Sequence, residues 1–237
     1  MSTEDIKDTT NLNILYEDNH IIVVIKPPGI PSQADKTKDL DMLTIVKNYI
    51  KVSKNKPGEV YLGLVHRLDR GVGGIMVFAK TSKAASRISK CIREKDFKKR
   101  YLAVIENSSD FKESDILENY LIKDSNLNKS FVVSQNEDSK LASLEYKTIQ
   151  KIEYKNKEYN VVDINLYTGR HHQIRVQFSN ISCPIYGDKK YGSTVSSKNI
   201  ALWSYYLSFY HPTKDEYLEF TYKPNKFFKN SIWDVIN

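Results

Sequence analysis

Short apolar runs of strand length outnumber stretches with helical spacing along this chain, so the expected structure is richer in strands than in helices. Residues 13–16 and 20–25 form two such runs, joined at Glu17-Asp18-Asn19, a turn-forming trio. That pattern predicts a hairpin, which Lys26-Pro27-Pro28-Gly29 ends. Leu43, Val46, Ile50 and the neighbouring Tyr49 recur at helical spacing and predict a helix over residues 41–51, capped by Asp41. Residues 54–59, with Pro57-Gly58, are then a loop. Residues 75–79 are an apolar run of strand length, after which Thr81 or Ser82 caps a helix with Ala84, Ala85, Ile88, Cys91 and Ile92 on one face. Residues 100–106 are the next strand.

Residues 107–140 are polar and irregular, with short strand candidates at 116–122 and 131–134, and are expected as a flap or small subdomain. Residues 142–154 and 159–166 predict antiparallel strands joined at Lys155-Asn156-Lys157, whose rim delivers Tyr167-Thr168-Gly169-Arg170 to a helix over about residues 172–179. Strands at 200–210 and 217–222 precede a short C-terminal segment containing Trp233. Hairpin-linked strands with few helices define an α+β class with a mixed, mainly antiparallel sheet. No internal repeat and no low-complexity tract interrupts it.

A length of 237 residues with 40% hydrophobic content supports a single domain over residues 12–237 behind a short polar tail, 1–11. The 36 Lys and Arg exceed the 29 Asp and Glu, a formal charge of +7 that favours a polyanionic partner. Only Cys91 and Cys183 are present, without a Cys/His spacing that suggests zinc, and a reducing cytoplasm is the simpler location. No apolar run is long enough to span a bilayer, so no membrane is expected.

Placement of charge is more informative than its sum. Val65-His66-Arg67-Leu68-Asp69-Arg70 sets one carboxylate between two arginines, just before Gly71, Gly73 and Gly74, and no other Asp or Glu lies between Val60 and Arg93. Glycines allow such a segment to fold sharply against a ligand. Two further segments belong with it: Lys98-Lys99-Arg100-Tyr101-Leu102-Ala103-Val104, and Thr168-Gly169-Arg170-His171-His172-Gln173-Ile174-Arg175. Each alone has a plain structural interpretation: a surface ion-pair loop, a half-buried strand tyrosine, a solvated arginine face.

Together they are specific. The chain resembles the RluA-type family of RNA pseudouridine synthases. Residues 14–18 and 24–29 are similar to its opening motif, His66-Arg67-Leu68-Asp69 to its catalytic motif, and Lys99-Arg100-Tyr101-Leu102-Ala103 and the 168–175 segment follow in the family's order. Gly187-Asp188-Lys189-Lys190-Tyr191-Gly192 is similar to its late glycine motif, so the resemblance spans about residues 12 to 222. Two departures stand out: Val72-Gly73-Gly74 replaces the family's usual Thr-Ser-Gly, and His171 replaces its common Thr or Leu. Many relatives also carry an S4-type RNA-binding domain in front, for which residues 1–11 are too short.

The resemblance implies a pseudouridine synthase fold with a central active-site cleft, and isomerisation of uridine to pseudouridine within structured ribosomal or transfer RNA. That reaction gains no electrons, phosphate or atoms, so no cofactor and no metal are expected. One carboxylate suffices, as nucleophile or as the base that removes a sugar proton. The resemblance assigns that role to Asp69, pairs it with Arg175, whose charge lowers a neighbouring carboxylate's pKa, and lays Tyr101 against the uracil ring. Arg67 is the candidate to fill the space of the extruded base. Arg70, Lys98, Lys99 and Arg100 are expected to bind RNA, with Arg170, His172 and Gln173 as RNA contacts or loop supports. RNA is the expected partner, with no protein partner and a monomeric chain. A non-catalytic RNA-binding or RNA-remodelling protein with the same fold is the alternative.

Overall fold

The structure is a computed structural model that describes residues 12–55 and 57–236; the expected tail 1–11 lies outside them. In chain order the elements are β1 (Ile14–Glu17), β2 (Ile21–Lys26), α1 (Met42–Ser53), β3 (Gly63–Leu64), β4 (Gly73–Ala79), α2 (Ser82–Arg93) and β5 (Lys98–Glu106). They continue with β6 (Ser114–Asp124), β7 (Lys129–Val133), β8 (Lys140–Tyr154), β9 (Lys157–Leu166), α3 (Gln173–Asn180), β10 (Leu202–Tyr210) and β11 (Tyr217–Thr221). The described residues divide into two compact units, one built from residues 12–98 with 204–227, the other from 99–203 with 228–236.

In the first unit, β1 and β2 form the expected hairpin. Asp18 fixes its turn, one carboxylate oxygen accepting from the backbone N–H of His20 at 2.7 Å and of Ile21 at 2.9 Å. β2 then pairs antiparallel with β4, which also pairs with the two-residue β3, and β10 pairs with β11. Every residue of β2 and β4 is buried, which explains their unbroken apolar runs: strands covered on both faces need no polar alternation. Both predicted helix caps form, with Asp41 Oδ1 accepting from the Thr44 N–H and Thr81 Oγ1 from that of Ala84, each at 3.1 Å.

In the second unit the strand order is β5-β9-β8-β6-β7, each neighbouring pair antiparallel. Lys155 and Asn156 both take left-handed backbone angles, φ 52° and 58°, the geometry of a two-residue hairpin turn that matches strand twist. The polar segment 107–140 carries strands at both expected places, joined as a regular hairpin: β6 runs for 11 residues and pairs with β8 from Ser114 to Leu121. Glu118 is exposed on one face of β6 while Leu117 and Leu121 are buried on the other. Helix α3 packs against β6 and β7 and is buried over residues 173–178. Its polar residues must therefore find partners inside: Gln177 Nε2 donates to the Leu117 carbonyl at 3.0 Å and to Asn119 Oδ1 at 2.9 Å.

Candidate active site

Asp69 sits half-buried on the loop that leads into β4, and that loop is held by its backbone. Lys26, at the end of β2, is 0% exposed, and its ammonium donates to the carbonyls of Val72 at 2.7 Å, Pro27 at 2.9 Å and Arg70 at 3.2 Å. Three acceptors match the three N–H bonds of an ammonium. Burial pushes the Lys26 amine down from 10.5 to about 7, with Asp69's negative charge pulling it back up and Arg70 adding to the fall. Ser32 grips the same loop from the other side, its hydroxyl donating to the Leu68 carbonyl at 2.7 Å and accepting from the Leu68 N–H at 3.1 Å. The N–H of Gly29 reaches the Arg70 carbonyl at 2.7 Å, and that of Val72 turns back onto the Asp69 carbonyl at 3.0 Å.

Around this loop, His66 Nε2 accepts from the Val77 N–H at 3.1 Å while its ring meets the edge of Phe97. Gly74, at φ +127°, lets β4 pass against β10: a Cβ there would lie 2.2 Å from the Ser204 carbonyl oxygen. Arg67 is exposed. Arg70, expected to bind RNA, is engaged within the protein, its guanidinium 2.6 Å from Asp39, 2.7 Å from the Thr37 hydroxyl and 3.6 Å from Asp35. An arginine so engaged stiffens the loop and has less charge to offer a phosphate.

The second unit carries the remaining candidates. Tyr101 is 5% exposed on β5, opposite Ile164 of β9. Strand alternation separates its neighbours: Lys98 is exposed, Arg100 forks onto the Asp163 carboxylate, and Lys99 is half-buried with its ammonium beside Gly169. Desolvation lowers the Lys99 pKa below the ordinary lysine range. The loop entering α3 is organised by Gln173, whose Oε1 accepts from the Thr168 hydroxyl at 2.7 Å and the Arg170 N–H at 3.0 Å, while its Nε2 donates to the Ser143 carbonyl at 3.1 Å. Gln173 therefore supports the loop from inside. Arg170 is exposed, its Nε donating to the Leu141 carbonyl at 2.9 Å.

His172 is buried in a left-handed conformation, φ 53°, with Nδ1 2.9 Å from the Tyr191 hydroxyl. The Ser130 N–H donates to that hydroxyl at 2.8 Å, leaving the Tyr191 proton for His172 Nδ1. Burial, then the charges of Arg175, His171, Lys190 and Lys123, push the imidazole down to about 2, so His172 is neutral at physiological pH. Arg175 is nearly inaccessible and bidentate to Asp188, Nε to Oδ2 at 2.6 Å and Nη2 to Oδ1 at 2.8 Å, with its guanidinium carbon 5.0 Å from the centre of the Tyr191 ring. The sequence reading missed both Asp188 and Tyr191 as partners of Arg175, although both lie in the late glycine motif. It also missed Lys26 as the anchor of the Asp69 loop.

Among the described residues no group of three His, Cys, Asp or Glu side chains is placed to hold a metal ion, and no helix is long and apolar enough to cross a membrane. Cys91 and Cys183 are free thiols. These features define an α+β protein with antiparallel ladders in both units and a half-buried carboxylate on a braced, arginine-flanked loop.

The family profile described as RNA pseudouridylate synthase matches residues 20–180, and the chain belongs to that family. It is an RNA pseudouridine synthase, an isomerase that acts on RNA. Similar proteins include an uncharacterized RNA pseudouridine synthase of Aquifex aeolicus, 31% identical over 92% of this chain and 71% of its own. The ribosomal large subunit pseudouridine synthase C of Buchnera aphidicola (subsp. Schizaphis graminum) is 30% identical over 100% of this chain and 74% of its own. The solved structure of human RNA pseudouridylate synthase domain containing 1 covers 92% of this chain and 85% of its own, with a TM-score of 0.74 and 23% identity; it shares the fold.

Proposed function

We propose that residues 12–237 act as one catalytic domain that isomerises a uridine of large-subunit ribosomal RNA, with Asp69 as the catalytic carboxylate. The observation that carries this is the bracing of the Asp69 loop by the Lys26 ammonium and the Ser32 hydroxyl, which fixes a half-buried acid without using a side chain of the loop itself. In the reaction the N1–C1′ bond breaks, C5 bonds to C1′, the C5 proton leaves and N1 gains one. Asp69 acts on the sugar, as nucleophile or as base. The family resemblance assigns Arg175 the pairing with the catalytic carboxylate and Tyr101 the face of the uracil. Arg67 fills the space left by the extruded base, with Lys98, Lys99 and Arg170 on the RNA backbone. Ribosomal RNA is favoured over transfer RNA because synthases C and D among the relatives are named for the large ribosomal subunit. The protein works as a monomer in the cytoplasm.

The test uses ribosomal RNA tritiated at uridine C5 and taken from cells lacking this protein. Wild-type protein releases tritium, and Asp69→Asn binds the RNA and releases none. Turnover by a folded Asp69→Asn variant would falsify the assignment.

A further inference from the structure

The hairpin β6–β7 presents a face that the reaction does not use. Register sets Ile122 opposite Phe131, and Tyr120 opposite both Val133 and Leu141, so these five side chains share one face of the ladder. The other face, with Leu121, Val132 and Ala142, packs into a core cluster with Val176 of α3 and Tyr191. Phe131 and Leu141 remain 37% and 42% exposed, an apolar patch that folding leaves in water.

Cations border this patch at its turn end. Lys129 Nζ lies 5.4 Å from the centre of the Phe131 ring and 5.1 Å from that of Tyr191. Arg170 reaches the patch through the Leu141 carbonyl, and Lys190 Nζ lies 3.1 Å from the Asn128 carbonyl at the turn. Asp124, the acid of the turn, points an oxygen at the N–H groups of Asn126 and Leu127, at 2.8 and 2.9 Å. Glu118 and Glu145 lie towards the opposite end of the ladder, where Glu145 accepts from the Tyr167 hydroxyl at 2.5 Å. Charge therefore changes sign along the face, and an anion is favoured only at the turn end.

An exposed ring beside fixed ammonium and guanidinium groups is the combination that holds single-stranded nucleic acid: a base stacks on the ring and the flanking phosphates meet the cations. We infer that the turn end of the β6–β7 hairpin is an RNA contact, with Phe131 as stacking platform for an unpaired base and Lys129, Arg170 and Lys190 as its phosphate clamp. This rests on the RNA-modifying reading above and adds a contact for unpaired RNA on the β6–β7 hairpin. Ser130, between Lys129 and Phe131, donates its N–H to Tyr191, whose ring lies on Arg175, so the hairpin that carries the platform is packed against the support of the Arg175 side chain.

The test measures binding of a fluorescein-labelled 20-nucleotide single-stranded RNA of mixed sequence as salt is varied, beside tritium release from ribosomal RNA by the same preparations. Phe131→Ala is expected to weaken binding about 5- to 10-fold, the low end of what stacking one base on an aromatic contributes, and Phe131→Trp to restore it. Lys129→Gln combined with Lys190→Gln is expected to flatten the slope of log affinity against log salt by about 1.4, at roughly 0.7 per lost phosphate contact on a single strand. Saturating turnover stays at the wild-type value while KM rises. Unchanged affinity and slope in both folded variants would overturn the platform and leave the catalytic assignment standing. The expected binding changes without any tritium release would uphold the platform and remove the catalytic assignment. A concentration-dependent dimer that Phe131→Ala abolishes, with RNA affinity unaltered, would assign the face to a second copy of the chain and overturn the inference.

Discussion

Replacing Lys26 with methionine separates the two things this side chain does. Methionine keeps most of the buried stem but removes the donor to the carbonyls of Pro27, Arg70 and Val72. Arg70 keeps the N–H of Gly29 at 2.7 Å, so the loss falls on Pro27 and Val72. Leaving a buried acceptor unmet costs roughly 1–3 kcal/mol, hence about 2–6 kcal/mol for two. Against this, the fall of the lysine from 10.5 to about 7 measures the penalty of burying its charge. At about 1.36 kcal/mol per unit that penalty is roughly 5 kcal/mol at low pH, and methionine removes it. The two effects are of similar size, so Lys26→Met is expected to shift Tm by no more than about 5–10 °C, at roughly 2–4 °C per kcal/mol for a chain of this length.

Activity should behave differently, because the lost bonds are those that hold the Asp69 loop. A displacement of about 1 Å at a reacting group lowers rates by roughly 100-fold, and single-turnover assays should show a loss of at least about 10-fold. The pH arm has a definite sign. A lysine with a depressed folded pKa carries its penalty in full below about 7 and loses it as pH climbs to 10.5, so the stability of wild type relative to Lys26→Met should rise across that window. Over the same window wild-type turnover should fall as the third N–H is lost. Denaturant titrations and single-turnover rates at matched pH check both trends. A folded Lys26→Met variant with wild-type turnover, or a stability difference flat between pH 7 and 10.5, would refute the assignment of Lys26.

Two further substitutions test the frame on which the site rests. Gly74→Ala forces a Cβ to within 2.2 Å of the Ser204 carbonyl oxygen at φ +127°, and should destabilise by about 2–5 kcal/mol through strain and overlap. Thermal unfolding should drop by roughly 5–15 °C, and a Tm within about 2 °C of wild type would contradict the close approach of β4 to Ser204. Asp188→Ala leaves the Arg175 guanidinium without its bidentate partner and should cost about 3–5 kcal/mol, whereas Asp188→Asn keeps one acceptor and should cost about half as much. Equal stability of the two variants in urea would contradict a contribution from the acceptor that asparagine retains.

What sequence could show here was what is encoded locally. The β1–β2 hairpin, the Asp41 and Thr81 caps and the β8–β9 turn were all legible because turn residues, capping oxygens and apolar spacing lie within a few positions of each other. Strands β6 and β7 were only partly legible because their apolar residues fall on both faces of the ladder, one of which stays partly in water, so no clean alternation marks their ends. Helix α3 hid its buried character because Gln173, Arg175 and Gln177 read as solvated polar residues until their partners are known, and those partners include Ser143, Asp188 and Leu117, 13 to 60 residues away. The Asp69 segment was visible from its charge pattern and its family resemblance. The bracing of that segment was not, because Lys26 finds two of its three acceptors 44 and 46 residues downstream.

The departure at Val72-Gly73 shows why the bracing matters. The resembled family usually has a Thr-Ser pair there, and this chain lacks those two hydroxyls. In this chain the loop is bonded through its own main chain: the carbonyls of Leu68, Arg70 and Val72 are all taken, by Ser32, by Lys26 with Gly29, and by Lys26 again. Main-chain bonds do not depend on the side chains at positions 72 and 73, so valine and glycine are tolerated there. Val72 is itself buried and Gly73 begins a fully buried strand, so a hydroxyl at either position would need an acceptor of its own. Lys26 lies in the stretch similar to the family's opening motif, and together with Ser32, on the segment from β2 towards α1, it holds the Asp69 loop through main-chain carbonyls, so substitutions at Lys26 and Ser32 should disturb the loop that carries Asp69.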